Sequence, residues 1–159
     1  MRVEAQHVRA LFDSQWQRTV ALAGQLRAAD PEDVAAEAFA RLYSKRGSVR
    51  TTDAAVGYLR TTVINLVRDR ARRQQLDARE RSRAAPPIAE VVDRDPAVIE
   101  AVGALPERQR EAVVLRIWLD LSERDAAAAM GVSAGSVKTH LSRALAALRP
   151  VLEGDRHVR

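Results

Sequence analysis

Ser133, Ser136, Lys138, Thr139, His140 and Arg143 crowd short polar and cationic side chains into one stretch of the chain. Their chemistry is hydrogen bonding, not bond making: an arginine fork suits the edge of a flat base, a lysine suits a phosphate, and hydroxyls suit either. Covalent chemistry has no comparable candidate. The sequence has no glycine-rich phosphate loop, no His-x-x-His or Cys-x-x-Cys pair, and no nucleophile beside a base in a known motif. With no cysteine, a disulfide framework, a thiolate zinc site and a cysteine nucleophile are all excluded. His7, His140 and His157 stand too far apart in sequence to show ligand spacing. The paired acids Glu32 and Asp33 sit where a helix begins, which is where acids steady the helix dipole. No enzyme, no metal and no cofactor is therefore expected.

The elements that must position those side chains can be read from Leu121 to Arg149, LSERDAAAAMGVSAGSVKTHLSRALAALR. Ser122 caps a first short helix, Asp125 makes its first turn acidic, and Gly131 ends it through a left-handed backbone. Ser133 caps a second helix on which Val137, Leu141, Ala144, Leu145 and Leu148 recur at helical spacing and form an apolar stripe. Ser136, Thr139, Ser142 and Arg143 fall opposite that stripe, with Lys138 and His140 on its flanks. Two helices around a Gly-Val-Ser turn make a helix-turn-helix, the second helix being narrow and polar enough to enter a major groove. Val113, Val114, Ile117 and Trp118, on a helix opening at Pro106, are placed to pack against it.

The N-terminal half is helical as well. Leu11, Phe12, Trp16, Val20 and Ala23 mark one helix over residues 8–26. Asp30 and Pro31 open a second, with Ala35, Ala38, Phe39 and Leu42 inward and Asp33, Glu37 and Arg41 as an outward ridge. Glu37 and Arg41 are ordered for an i,i+4 ion pair. After the turn-rich, cationic loop SKRGSVRTTD, Asp53 caps a long helix whose buried face is Val56, Leu59, Val63 and Leu66. Beyond Val67 its apolar residues almost vanish: Arg68 to Arg83 holds seven arginines against three acids, so that part should leave the core. Residues 84–96 carry three prolines and no stripe, which reads as an extended tether.

The 159 residues carry a net charge of +5 and a pI near 10.6, pointing to a polyanionic partner, while residues 31–37 are acidic and suit a basic protein. Six aromatics and abundant alanine imply thin helical cores, and no apolar run is long enough to span a bilayer. The N-terminus MRVEAQHVRA does not read as a signal peptide, so a cytoplasmic location without membrane insertion is expected. The fold class is all-α: two small helical domains, each with a basic helix, joined by an extended linker. Two modest contacts on one tether gain affinity through effective concentration, which suits a reader of two-part sites.

The strings DPEDVAAEAFARLY, GYLRTTVINLVRDRARR and LPERQREAVVLRIWLDLSERDAAAAMGVSAGSVKTHLSRALAALR, in that order, resemble the two conserved regions of an extracytoplasmic-function sigma factor of the bacterial sigma-70 family. The likeness implies a region 2 domain over residues 1–82, a linker over 83–99 and a region 4 helix-turn-helix domain over 100–153. It implies as partners promoter DNA, the β′ clamp helices and β flap of core RNA polymerase, and, for many members, an anti-sigma factor. Asp33, Glu37 and Arg41 then correspond to the polymerase-docking helix. Val49, Arg50, Arg60, Asn65, Arg68, Arg72 and Arg73, with Arg70 among them, correspond to the surface facing the -10 element, where the family melts DNA by flipping out a base. Ser133, Ser136, Lys138, Thr139, His140 and Arg143 correspond to the -35 reader. Ala36 replaces a common glutamine, Tyr58 a tryptophan, His140 an arginine and Ala126 a larger aliphatic residue, and the loop GSVRTTD lacks an aromatic to stack on an extruded base. Two other readings use the same residues: a stand-alone regulator of the response-regulator output type, and a helical adaptor that binds protein through its acidic ridge. The first lacks a recognisable receiver domain, and the second leaves the arginine-rich helix without a role.

Overall fold

The structure, a computed structural model, describes residues 5–77 and 95–155. The tether over residues 84–94 and the arginines at 79, 81 and 83 lie outside the described residues. Every described element is helical, and the elements gather into two compact units.

The N-terminal unit packs three helices on one another: α1 (Ala5–Gln25), α2 (Pro31–Ser44) and α3 (Thr52–Asp77). Asp30 caps α2 as its side chain accepts the Asp33 N–H at 3.1 Å, and Pro31 fills the first turn, where its missing donor costs nothing. Ala23, Ala35, Ala38 and Ala55 are wholly buried, and such small side chains let the helix backbones approach closely around Leu42, Val63 and Ile64. Phe12 stacks on Trp16 with centroids 4.9 Å apart and meets Phe39 edge-on at 5.0 Å, so the expected α1 stripe packs on α2 while Phe12 keeps an exposed flank. Arg27 takes the left-handed conformation after α1 (φ 70°), while the Ala28 N–H reaches back to the Ala23 carbonyl. A bulky side chain thus stands where glycine is usual. The cap of α3 is Thr51, whose Oγ1 accepts the Ala54 N–H at 3.0 Å; Asp53, expected as the cap, sits in the first turn instead.

The C-terminal unit contains α4 (Pro96–Gly103), α5 (Glu107–Val113) continuing into a π-helical turn (Val114–Trp118), α6 (Glu123–Met130) and α7 (Ala134–Asp155). Helix α4 begins inside the expected linker over residues 83–99, at Pro96. It is short, yet Val102 joins Leu105, Val113, Ala144 and Leu148 in one buried cluster. The wider turn after Val113 shifts the register by about one residue. Leu115 is therefore fully buried while Ile117, expected inside, is 53% exposed. Leu145, also expected in the stripe, lies at the edge of α7 at 38% exposure.

Three arginines brace this unit through carbonyl oxygens. Arg108 donates to Met130 O at 2.8 Å, Arg110 to Gly103 O and Leu105 O at 2.8 and 2.9 Å, and Arg116 to Leu121 O. Each satisfies a carbonyl near a helix end or turn that lacks an intrahelical partner. The turn between α6 and α7 forms as the sequence implies. Ser122 Oγ accepts the Asp125 N–H, Gly131 is left-handed (φ 69°), and Val132 N–H returns to Ala127 O. No atom lies within 4 Å of a Cβ added at Gly131, so the cost of a side chain there is conformational alone. Gly131→Ala is expected to lower the stability of this unit by about 1 kcal/mol in urea denaturation, the cost of a left-handed backbone for an L side chain.

Candidate functional site

Helix α7 sets its apolar face with Val137 and Ala144, both wholly buried, and turns the opposite face outward. Lys138, Thr139, Ser142 and Arg143 are exposed, and Ser136 and His140 are half-buried. Not all six predicted readers keep their polar atoms for a partner. Ser133 Oγ accepts the Ser136 N–H at 3.1 Å and lies 2.9 Å from Ser136 Oγ, so both hydroxyls serve the helix start. Thr139 Oγ1 donates back to Gly135 O at 3.1 Å. Lys138 Nζ stands 3.7 Å from Glu123 Oε2 on α6, a loose and exposed pair of little energetic weight. Arg143 projects from the exposed face two turns into the helix.

On α3 the expected -10 residues divide. Asn65, Arg72 and Arg73 are exposed and fall with Asp69 on one side of the helix, Arg60 is half-buried, and Arg50 is exposed in the preceding loop. Arg68 and Val49 are corrections. Each is only 8% exposed, because Arg68 lies one turn beyond Ile64 on the packed side and Val49 closes the loop against the helices. Both side chains are largely covered by the packing of the N-terminal unit itself. Arg70 is a further correction: it lies four residues beyond Leu66 and seven beyond Val63, on the stripe that faces α2. The signal was present in the periodicity, hidden by the change from apolar to charged residues.

What Arg70 meets on α2 is the acidic ridge. Its Nη1 is 2.5 Å from Asp33 Oδ2 and its Nη2 2.5 Å from Glu37 Oε2, while Arg41 Nη2 holds Glu37 Oε1 at 2.7 Å. The guanidinium of Arg70, and after it that of Arg41, keeps the Glu37 carboxyl below its ordinary 4.5. A carboxyl whose folded value is depressed stabilises the fold above its unfolded pKa and loses that contribution as pH falls through the folded value. The N-terminal unit should accordingly lose melting temperature as pH drops below about 4.5, and Glu37→Gln should flatten that slope in a thermal-melt series. Partial exposure of both partners keeps the effect small. Arg70 also borders a cleft of about 120 Å³ lined by Arg27, Asp30, Val34, Val67 and Gln74.

No helix among the described residues is long and apolar enough to cross a membrane. Residues 15–76 match the family model for Sigma-70 region 2, and residues 96–148 match that for Sigma-70, region 4. An RNA polymerase sigma-E factor of Streptomyces antibioticus is 38% identical over 130 residues, spanning 78% of this chain and 71% of that protein. One of Streptomyces coelicolor is 35% identical over 128 residues, spanning 77% and 72%. The ECF RNA polymerase sigma factor SigM of Mycobacterium tuberculosis is 32% identical over 126 residues, spanning 77% and 64%. Among solved structures, the sigma factor RpoE of Bartonella quintana, in complex with the anti-sigma factor NepR, superposes with a TM-score of 0.75 at 22% identity over 91% of this chain and 96% of that one. CnrH, solved with the cytosolic domain of CnrY, gives 0.67 at 22% identity over 96% and 91%. The two structures speak for the fold, whereas the family models and the sigma-E relatives speak for descent. On these grounds the chain belongs to the sigma-70 family, among its extracytoplasmic-function RNA polymerase sigma factors.

Proposed function

We propose that the chain is the promoter-specificity subunit that its family membership implies, with three of its surfaces sharing the work. Helix α2 docks on core RNA polymerase through Asp33, Glu37 and Arg41. The exposed side of α3, with Asn65, Arg72 and Arg73, and Arg50 and Arg60 nearby, faces the -10 element and assists its melting. Helix α7 reads the -35 element, and the residues between the two units act as the linker. The observation that carries this reading is the polar face of α7, held outward by a wholly buried Val137 and Ala144 on a glycine-terminated turn. The chain performs no chemistry of its own in this scheme, and an anti-sigma partner, as named for the Bartonella structure, is part of it.

Run-off transcription from genomic fragments with core polymerase, with and without the chain, is the direct test. Specific transcripts only in its presence support the reading; specific DNA binding without polymerase would favour a stand-alone regulator. Within α7, Arg143→Ala should cost about 1–3 kcal/mol and relax one -35 position, as the loss of a bidentate base contact does. An unchanged -35 preference in a binding selection would reject that role. Lys138→Ala should weaken all sequences alike and flatten the salt dependence by about one phosphate contact.

A further inference from the structure

Asp33, Glu37, Arg41 and Arg70 carry two negative and two positive charges in mutual contact. Along the sequence of α2 the ridge looks acidic, and an acidic ridge attracts any basic surface at long range. In the fold that field is cancelled. Both carboxylate oxygens of Glu37 are engaged, one by Arg41 and one by Arg70, and Asp33 gives Oδ2 to the same guanidinium. Arg70 comes from another helix, and its side chain is held at 29% exposure between α2 and α3. Its planar fork meets two carboxylates at once, a geometry that a lysine ammonium does not reproduce.

We infer that Arg70 is a specificity-determining residue of the docking face: it masks the Asp33 and Glu37 carboxylates from basic surfaces in general and yields them to a partner whose own forked donors can take its place. The inference rests on the docking reading of α2. It also accounts for a cation on this stripe of α3, where an apolar residue would have continued the core. Polymerase docking then selects for donor geometry more than for net charge.

The test uses the full chain as wild type, Arg70→Ala, Arg70→Lys, Asp33→Asn/Glu37→Gln, and the combination of the last pair with Arg70→Ala. The non-specific probe is tetralysine, titrated at low ionic strength while the amide resonances of Asp33 and Glu37 are followed by NMR. Arg70→Ala is expected to bind tetralysine about three- to fivefold more tightly than wild type, the scale of one exposed ion pair, with the gain lost at high salt. Arg70→Lys should fall between the two, and the combined variant should show no gain. An Arg70→Ala chain with native helix content and wild-type tetralysine affinity overturns the inference, as does a gain that survives removal of both acids. If Arg70→Ala fails to fold, Arg70→Lys is compared with wild type alone: tighter tetralysine binding supports the inference, and equal binding overturns it. Binding of each variant to core RNA polymerase is measured separately: if Asp33→Asn/Glu37→Gln binds polymerase as well as wild type, the docking reading fails, whatever the tetralysine result.

Discussion

Leu115→Ala is expected to lower the stability of the C-terminal unit by about 2–5 kcal/mol, enough to leave a small helical unit largely unfolded at moderate temperature. Leu115 is completely buried in the π-helical turn, which packs on α5 and α6. Its truncation leaves a cavity in the core that this turn shares with α5 and α6. Each unit contains one tryptophan, Trp16 or Trp118, so urea denaturation of Leu115→Ala in a Trp16→Phe background reports on the C-terminal unit alone. The Trp118 transition should move to lower urea; on the proposed division of roles, -35 binding should fall in proportion to the unfolded fraction while polymerase affinity through α2 is kept. A Trp118 midpoint equal to that of the background protein would show that the site collapses around the smaller side chain.

On the proposed docking role of α2, charge reversal at Glu37 should have the largest effect on affinity for polymerase. Glu37→Lys would place a third cation beside Arg41 and Arg70 with only Asp33 to oppose them, converting a balanced cluster into a positive one. Like charges brought together at an interface cost several kcal/mol, so affinity for core polymerase should fall by well over tenfold. Glu32→Lys is the matched control. It lies on the same helix, exposed and outside the ion-pair cluster, and should change affinity by less than about threefold. Competition against a labelled second sigma factor for core polymerase, in the absence of DNA, measures both. Comparable losses for the two variants would mean that the general charge of α2 matters and the cluster does not.

Local rules made much of this molecule legible. Asp30, Ser122 and Ser133 cap helices, Gly131 is left-handed and Glu37 pairs with Arg41, because each feature depends on neighbours within a few residues. The misread positions depend on distant partners or on a broken period. Helix α4 has eight residues, too few for a stripe, although Asp95 and Pro96 repeat the Asp-Pro opening that announced α2. An α-helical period extended through residues 113–118 puts Ile117 inside, but the π-helical turn does not keep that period. The resemblance places Arg68 and Arg70 on the DNA-facing surface, whereas one lies buried and the other is engaged by carboxylates 33 and 37 positions away in sequence. Arginine does not announce from sequence whether its fork will meet a phosphate, a carboxylate or a carbonyl, and this chain uses it for at least the last two.

The π-helical turn from Val114 to Trp118 also changes what kinds of variation this chain can absorb. Substitution inside it is costly, as Leu115 illustrates, but the turn carries one residue more than an α-helical pitch needs. Loss of a single residue at Ile117, the exposed member, would let the segment tighten into ordinary α-helix with little burial surrendered, while the same loss in α7 would rotate every later side chain by about 100°. Length variation among related chains should therefore collect at this turn and be rare in the helix that follows Ser133.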